Sequence, residues 1–138
     1  MQFTVRDWMI DLVVFVDPEI PVTDALATMR RRYINSLIVN KSPNNPEYGI
    51  ITSTDICDKI VAAERDPAQV KVSEIMTSPV ISVPPDMPIA DCAKLMHEKK
   101  IHHIPVVNSA GMVVGMISAT DFLVVAEAMG RKGERALS

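Results

Sequence analysis

Aromatic residues are scarce in this chain. Three Phe, two Tyr and one Trp among 138 residues make up only 4%, so aliphatic side chains and nine Met must fill any core. Met suits irregular gaps and the seams between packed units. Two cysteines, Cys57 and Cys92, give neither a metal-type spacing nor a disulfide framework. Both fall on the apolar side of a helical pattern, and the expectation is that each is a small core residue. Positive charge is not in excess: the net charge is -3 and the pI about 5.5. A duplex nucleic-acid partner is therefore disfavoured. The one basic run, Arg30-Arg31-Arg32, suits a helix C-terminus, where cations complement the helix dipole. No apolar run approaches the ~18 residues needed to cross a bilayer, and Met1 to Ile10 contain no basic segment leading into an apolar one. The expectation is a cytoplasmic protein with no membrane partner.

What is present is a repeat, and a missed repeat would miscall the fold. A shift of 67 lays residues 5–39 on 72–106 with ten identities. Val5/Val72, Met9/Met76, Val13/Val80, Val16/Val83 and Pro18/Pro85 match, then Pro21/Pro88, Asp24/Asp91, Met29/Met96, Ile34/Ile101 and Val39/Val106. After a one-residue slip, Gly49-Ile-Ile-Thr-Ser-Thr-Asp55 falls on Gly115-Met-Ile-Ser-Ala-Thr-Asp121. The matches keep their order over the whole unit, which chance explains poorly.

Each copy predicts the same βαββα series in an α+β fold. An approach segment leads to a brief strand, Val13–Val16 or Val80–Val83. A helix follows, opened by Pro21 or Pro88, whose missing N–H costs nothing at a helix start. Its apolar face is Val22, Ala25, Leu26, Met29 and Tyr33 in the first copy, and Ile89, Cys92, Ala93 and Met96 in the second. Paired strands are expected at Ser36–Val39 with Tyr48–Thr52 and at Ile104–Val107 with Met112–Ser118. Closing helices are expected over about Thr54–Ala63 and Thr120–Met129. The expected division is residues 1–66, 67–130 and a charged, frayed tail at 131–138. Neither repeat has much core alone. Two copies packed sheet to sheet would share one, with a pseudo-twofold axis and two related clefts.

The most informative motif is Thr52-x-x-Asp55, repeated as Ser118-x-x-Asp121, each following a strand that begins near a glycine. Such a pair can be a capping box, with hydroxyl and carboxylate satisfying helix N-terminal N–H groups. It can also be a ligand site, because a helix N-terminus attracts phosphate and a carboxylate suits a ribose diol. The box alone does not choose. His102 and His103 alternate faces in a strand and so make no metal pair. One of them could face an anion. The chain has no phosphate-binding Gly-rich loop, nucleophile elbow or zinc-protease helix, and the expectation is a protein that is not an enzyme.

The order of Pro-opened helix, Ile101-His-His-Ile-Pro-Val-Val-Asn108 and Gly115-Met-Ile-Ser-Ala-Thr-Asp121, twice over, resembles the cystathionine-β-synthase-type (CBS) domain. The likeness covers about residues 3–63 and 70–129. It implies a stand-alone tandem pair acting as a regulatory ligand-sensing module. It also implies a homodimer, a regulated protein in trans, and no required cofactor. The ligand would be an adenine nucleotide or another adenosine-containing molecule: AMP, ADP, ATP, S-adenosylmethionine or NAD. Carried over by residue, one cleft would combine Thr52 and Asp55 with Val80, Ile81, Ser82, His102, His103, Ile104 and Pro105. The other would combine Ser118 and Asp121 with Val14, Phe15, Asn35, Ser36, Leu37 and Ile38. Phe15 stands where Ser82 stands in the first, and either fills that pocket or stacks on a base. The resemblance thus implies unequal sites, with the Asp55 and His103 combination the better one. The competing expectation is a ligand-free dimerisation module in which both boxes only cap helices.

Overall fold

The computed structural model describes residues 3–137, with side chains through Arg131. In chain order its elements are α1 (Val5–Trp8), β1 (Phe15–Val16), α2 (Val22–Arg32), β2 (Ser36–Val39), β3 (Gly49–Thr52) and α3 (Ser53–Ile56). A π-helical turn (Cys57–Val61) and a 3-10 turn (Pro67–Gln69) lead to α4 (Val72–Ile75), α5 (Ile89–Lys99), β4 (His103–Val107), β5 (Val113–Ser118) and α6 (Asp121–Leu137). The chain forms two compact units. One is contiguous, residues 13–80; the other is split, joining the chain up to Leu12 with the chain from Ile81 onward.

In the contiguous unit β2 is the middle strand, parallel to β1 and antiparallel to β3, with Leu37 opposite Ile51 and Ile38 opposite Ile50. Its Leu37, Ile38 and Val39 are apolar on both faces and fully buried, which favours a covered strand. Helix α2 lays Val22, Ala25 and Met29 against Leu37, Val39 and Ile51. The i, i+3, i+7 spacing puts these three on one stripe. Tyr33 departs from the expected apolar face. It is the helix C-cap, with φ of 55°, and its side chain is 95% exposed. A left-handed cap turns the side chain off the stripe.

The split unit is built on a β4–β5 hairpin with His103 opposite Ser118 and Ile104 opposite Ile117. Asn108 Oδ1 accepts from the N–H groups of Ala110 and Met112 at 3.0 Å each, and Gly111 takes φ of 79° to close the turn. Ile89, Cys92 and Met96 of α5 complete the core with Ile104, Val106 and Ile117. Burial pushes the Cys92 thiol up to about 11. Cys57, by contrast, is exposed. The wider π-helical turn keeps Ile60 in the core and turns Cys57 outward, correcting its expected burial.

The approach segments are exchanged between repeats. The Val5 and Arg6 N–H groups donate to the carbonyls of Met87 and Pro85, each at 2.9 Å. The matching pair, Val72 and Ser73, donates to Ile20 and Pro18, also at 2.9 Å. The segments end on glycines: a Cβ at Gly115 would lie 2.5 Å from Met9 Sδ, and one at Gly49 would lie 2.7 Å from Met76 Sδ. Glycine is needed there because a thioether occupies the side-chain space.

Two expected elements are shorter or longer than the pattern suggested. Only Phe15–Val16 of the first strand is regular, and in the second copy Val83 alone bridges to Val106. The expected frayed tail is helical in its backbone to Leu137, whereas Ser138 lies outside the described residues. Among the described residues no helix is long and apolar enough to cross a membrane.

Candidate functional site

Both hydroxyl–acid motifs bring a carboxylate back to the N–H at a strand end, and the first also closes the reciprocal bond from the acid's own N–H. In the contiguous unit Thr52 ends β3 and caps α3: Asp55 Oδ2 accepts from the Thr52 N–H at 2.9 Å, and Thr52 Oγ1 accepts from the Asp55 N–H at 3.4 Å. In the split unit Ser118 ends β5, and Asp121 Oδ2 accepts from its N–H at 2.7 Å and its hydroxyl at 3.1 Å. The strand delivers the cap residue and the following turn returns the carboxylate to it.

Their surroundings differ. Asp55 is buried, only 8% exposed, and its Oδ1 pairs with Lys59 Nζ at 2.9 Å. Lys59 also donates to the Ile75 carbonyl at 2.7 Å, which ties α4 to the same carboxylate. At the equivalent of Lys59 the split unit has the buried Val125. Asp121 is half-buried, and its Oδ1 carries no hydrogen bond or ion pair among the described residues. The sequence reading missed Lys59, although an acid followed by a lysine four residues later on a helix is a recognisable pair.

His103 belongs to the Asp121 group within the split unit. It lies across the hairpin from Ser118, and the His102 carbonyl accepts from the Ala119 N–H at 2.8 Å. Burial holds the His103 imidazole below its usual pKa, and His102 adds to that, while Asp121 pulls it up. Thr120 is a further member, its hydroxyl 2.8 Å from that of Ser118. The result is a free carboxylate oxygen, an imidazole whose basicity burial lowers and two hydroxyls at one strand end. Such a set can take hydroxyl hydrogens on the carboxylate and offer donors to a neighbouring polar atom.

The other expected ligand residues separate by burial. Ile104 and Leu37 are fully buried in the two cores, and Pro105 is buried in β4, so their side chains serve packing. Ile81 and Ser82 are exposed and outside any strand, while the half-buried Val80 donates to the Tyr48 carbonyl at 3.2 Å. In the contiguous unit Thr52 lies opposite Ser36, and Asn35 accepts from the Ser53 N–H at 3.0 Å. Phe15 leans against Tyr48 with ring centroids 6.4 Å apart and remains 40% exposed. Lys41 Nζ lies 4.7 Å from the Tyr48 ring centroid, so this aromatic pair already holds a cation.

Comparison with known proteins gives a family model described as CBS domain over residues 5–62 and again over 72–128. An uncharacterised protein of Methanopyrus kandleri is 35% identical over 97 residues, covering 70% of this chain and 49% of its own length. This chain spans about half the length of the first curated relatives it matches. Among solved structures, a hexameric CBS-CP12 protein from bloom-forming cyanobacteria is similar with TM-score 0.84 and 31% identity, over 90% of this chain and 72% of that one. The CBS domain pair of protein MJ0100, in complex with 5′-methylthioadenosine and S-adenosylmethionine, is similar with TM-score 0.77 and 27% identity. That likeness covers 89% of this chain and 98% of the other.

Proposed function

The chain belongs to the CBS domain family and carries two copies of the domain, and from that premise we propose that it is a non-catalytic regulatory module that senses an adenosine-containing ligand in the cytoplasm. The observation that carries this reading is the spare Oδ1 of Asp121 beside Ser118, Thr120 and His103. A carboxylate with an unused oxygen at a strand end suits a ribose diol, and the neighbouring hydroxyls and imidazole suit the polar groups attached to it. The related MJ0100 pair, which holds 5′-methylthioadenosine and S-adenosylmethionine, supports the ligand class.

The resemblance favoured Asp55, grouped with His103, as the stronger site. The side-chain geometry favours Asp121 instead, because Lys59 and the cap use both oxygens of Asp55. A homodimer acting on a regulated protein in trans fits the same role.

Thermal shift and calorimetry with S-adenosylmethionine, 5′-methylthioadenosine, AMP, ADP, ATP and NAD test the proposal. A ligand at a hundred times its Kd adds about 2.7 kcal/mol of apparent stability. Asp121→Ala should abolish the response to the active ligand. No movement of Tm with any of the six at millimolar concentration would sink the sensing role.

A further inference from the structure

The contiguous unit contains a groove that the proposed function does not use. It lies between the last turn of α2 and the start of α3, with a volume of about 550 Å³. That is within the range of small-molecule sites, roughly 300–1,000 Å³. Leu26, Met29, Ile34 and Ile56 give it an apolar wall. Arg30, Tyr33, Asn35 and Ser53 supply its polar and aromatic groups.

Three features point to one kind of occupant. Arg30 has no carboxylate partner among the described residues, and no acidic side chain lines the groove. Arg31 and Arg32 follow it in the same helix turn and deepen the positive potential. The Tyr33 ring, turned away from the helix stripe by its left-handed cap, offers the groove a face that the fold itself does not cover. The Ser53 N–H bond to the Asn35 carbonyl, 3.0 Å, fixes the far lip. The other repeat places His97, Lys100, His102 and Ala119 at the positions of Arg30, Tyr33, Asn35 and Ser53. It therefore has neither the aromatic face nor the serine hydroxyl.

We propose that this groove binds a small aromatic anion, its ring between Tyr33 and the apolar wall and its acidic group on Arg30. A guanidinium takes carboxylate, sulfonate or phosphate oxygens in bidentate fashion, and Arg30 stands exposed at the groove with no carboxylate beside it among the described residues. The site is separate from the Asp121 group and stands or falls without it.

The probe is 8-anilinonaphthalene-1-sulfonate, titrated into the full chain by fluorescence and calorimetry. One molecule should bind per chain, with N-phenyl-1-naphthylamine, which lacks the sulfonate, at least about tenfold weaker. Arg30→Ala should weaken the sulfonate about tenfold and leave the uncharged analogue unchanged, while Tyr33→Ala should weaken both several-fold. Arg30→Gln, which keeps a good helix former, repeats the test if the alanine variant loses helical signal. Arg6→Ala, on the other unit, should change nothing. Sulfonate binding unchanged in Arg30→Gln and Tyr33→Ala would overturn the assignment. So would sedimentation showing a dimer that Tyr33→Ala dissociates with a gain of dye binding, because a second copy would then cover the groove.

Discussion

The two hydroxyl–acid boxes are the same backbone device put to different use. In each, a strand ends on a hydroxyl residue and a carboxylate three residues on accepts its N–H. What separates them lies four residues further: Lys59 after Asp55, Val125 after Asp121. The lysine turns one carboxylate into a buried strut between α3 and α4, whereas the valine joins the core and leaves the other with an unused oxygen. A shared motif thus does not imply a shared role, and the residue that decides lies outside it.

The widest effects should come where the copies are alike. Ile51→Ala and Ile117→Ala each empty a fully buried position in matched strands, and each should cost about 2–5 kcal/mol in denaturant unfolding. A cost confined to one unit would break the equivalence of the scaffolds. Gly49→Ala and Gly115→Ala should each cost about 1–3 kcal/mol by overpacking against Met76 and Met9. Met76→Ala and Met9→Ala should recover part of that loss.

The boxes should then diverge. Asp55→Ala strands Lys59 and should cost about 2–3 kcal/mol, against about 1 kcal/mol for the cap lost in Asp121→Ala. Ligand affinity measured by calorimetry should fall in the reverse order. Equal stability losses with no change in affinity would favour two purely structural caps. A smaller effect concerns pH. Because the folded His103 pKa is lowered, its contribution is complete above the unfolded value, about 6.5, and is lost as pH falls toward the folded one. His103→Gln should flatten the stability profile below about pH 6.5 and leave it unchanged above. Finally, a thiol reagent should label Cys57 in the native protein and reach Cys92 only on unfolding.

Much of this was legible in the sequence because the signals are local. The matched glycines, the Pro-opened helices and the Leu37–Val39 and Ile104–Val107 runs mark the α+β units and both boxes in the sequence itself. The partner of each piece was harder to read. Periodicity reports which face of a segment is apolar, not which distant segment covers it, so Val5 pairing with Met87 rather than with Ile20 left no trace. Tyr33 and Cys57 were misplaced for a related reason: a left-handed cap and a π-helical turn each break the rotation of 100° per residue on which a helical stripe depends. The grouping of His103 with Ser118 follows from hairpin register, which the short turn allowed but did not advertise.

The exchange of approach segments also bears on the order in which the protein is made. The contiguous unit has all its parts once residue 80 has left the ribosome. The split unit must keep its opening residues waiting while the other unit is synthesised, then close a loop spanning that unit when Ile81 and its successors emerge. The contiguous unit can mature while the strands and helix that complete the split one are still being made, so Ser118, Asp121 and His103 come together after it.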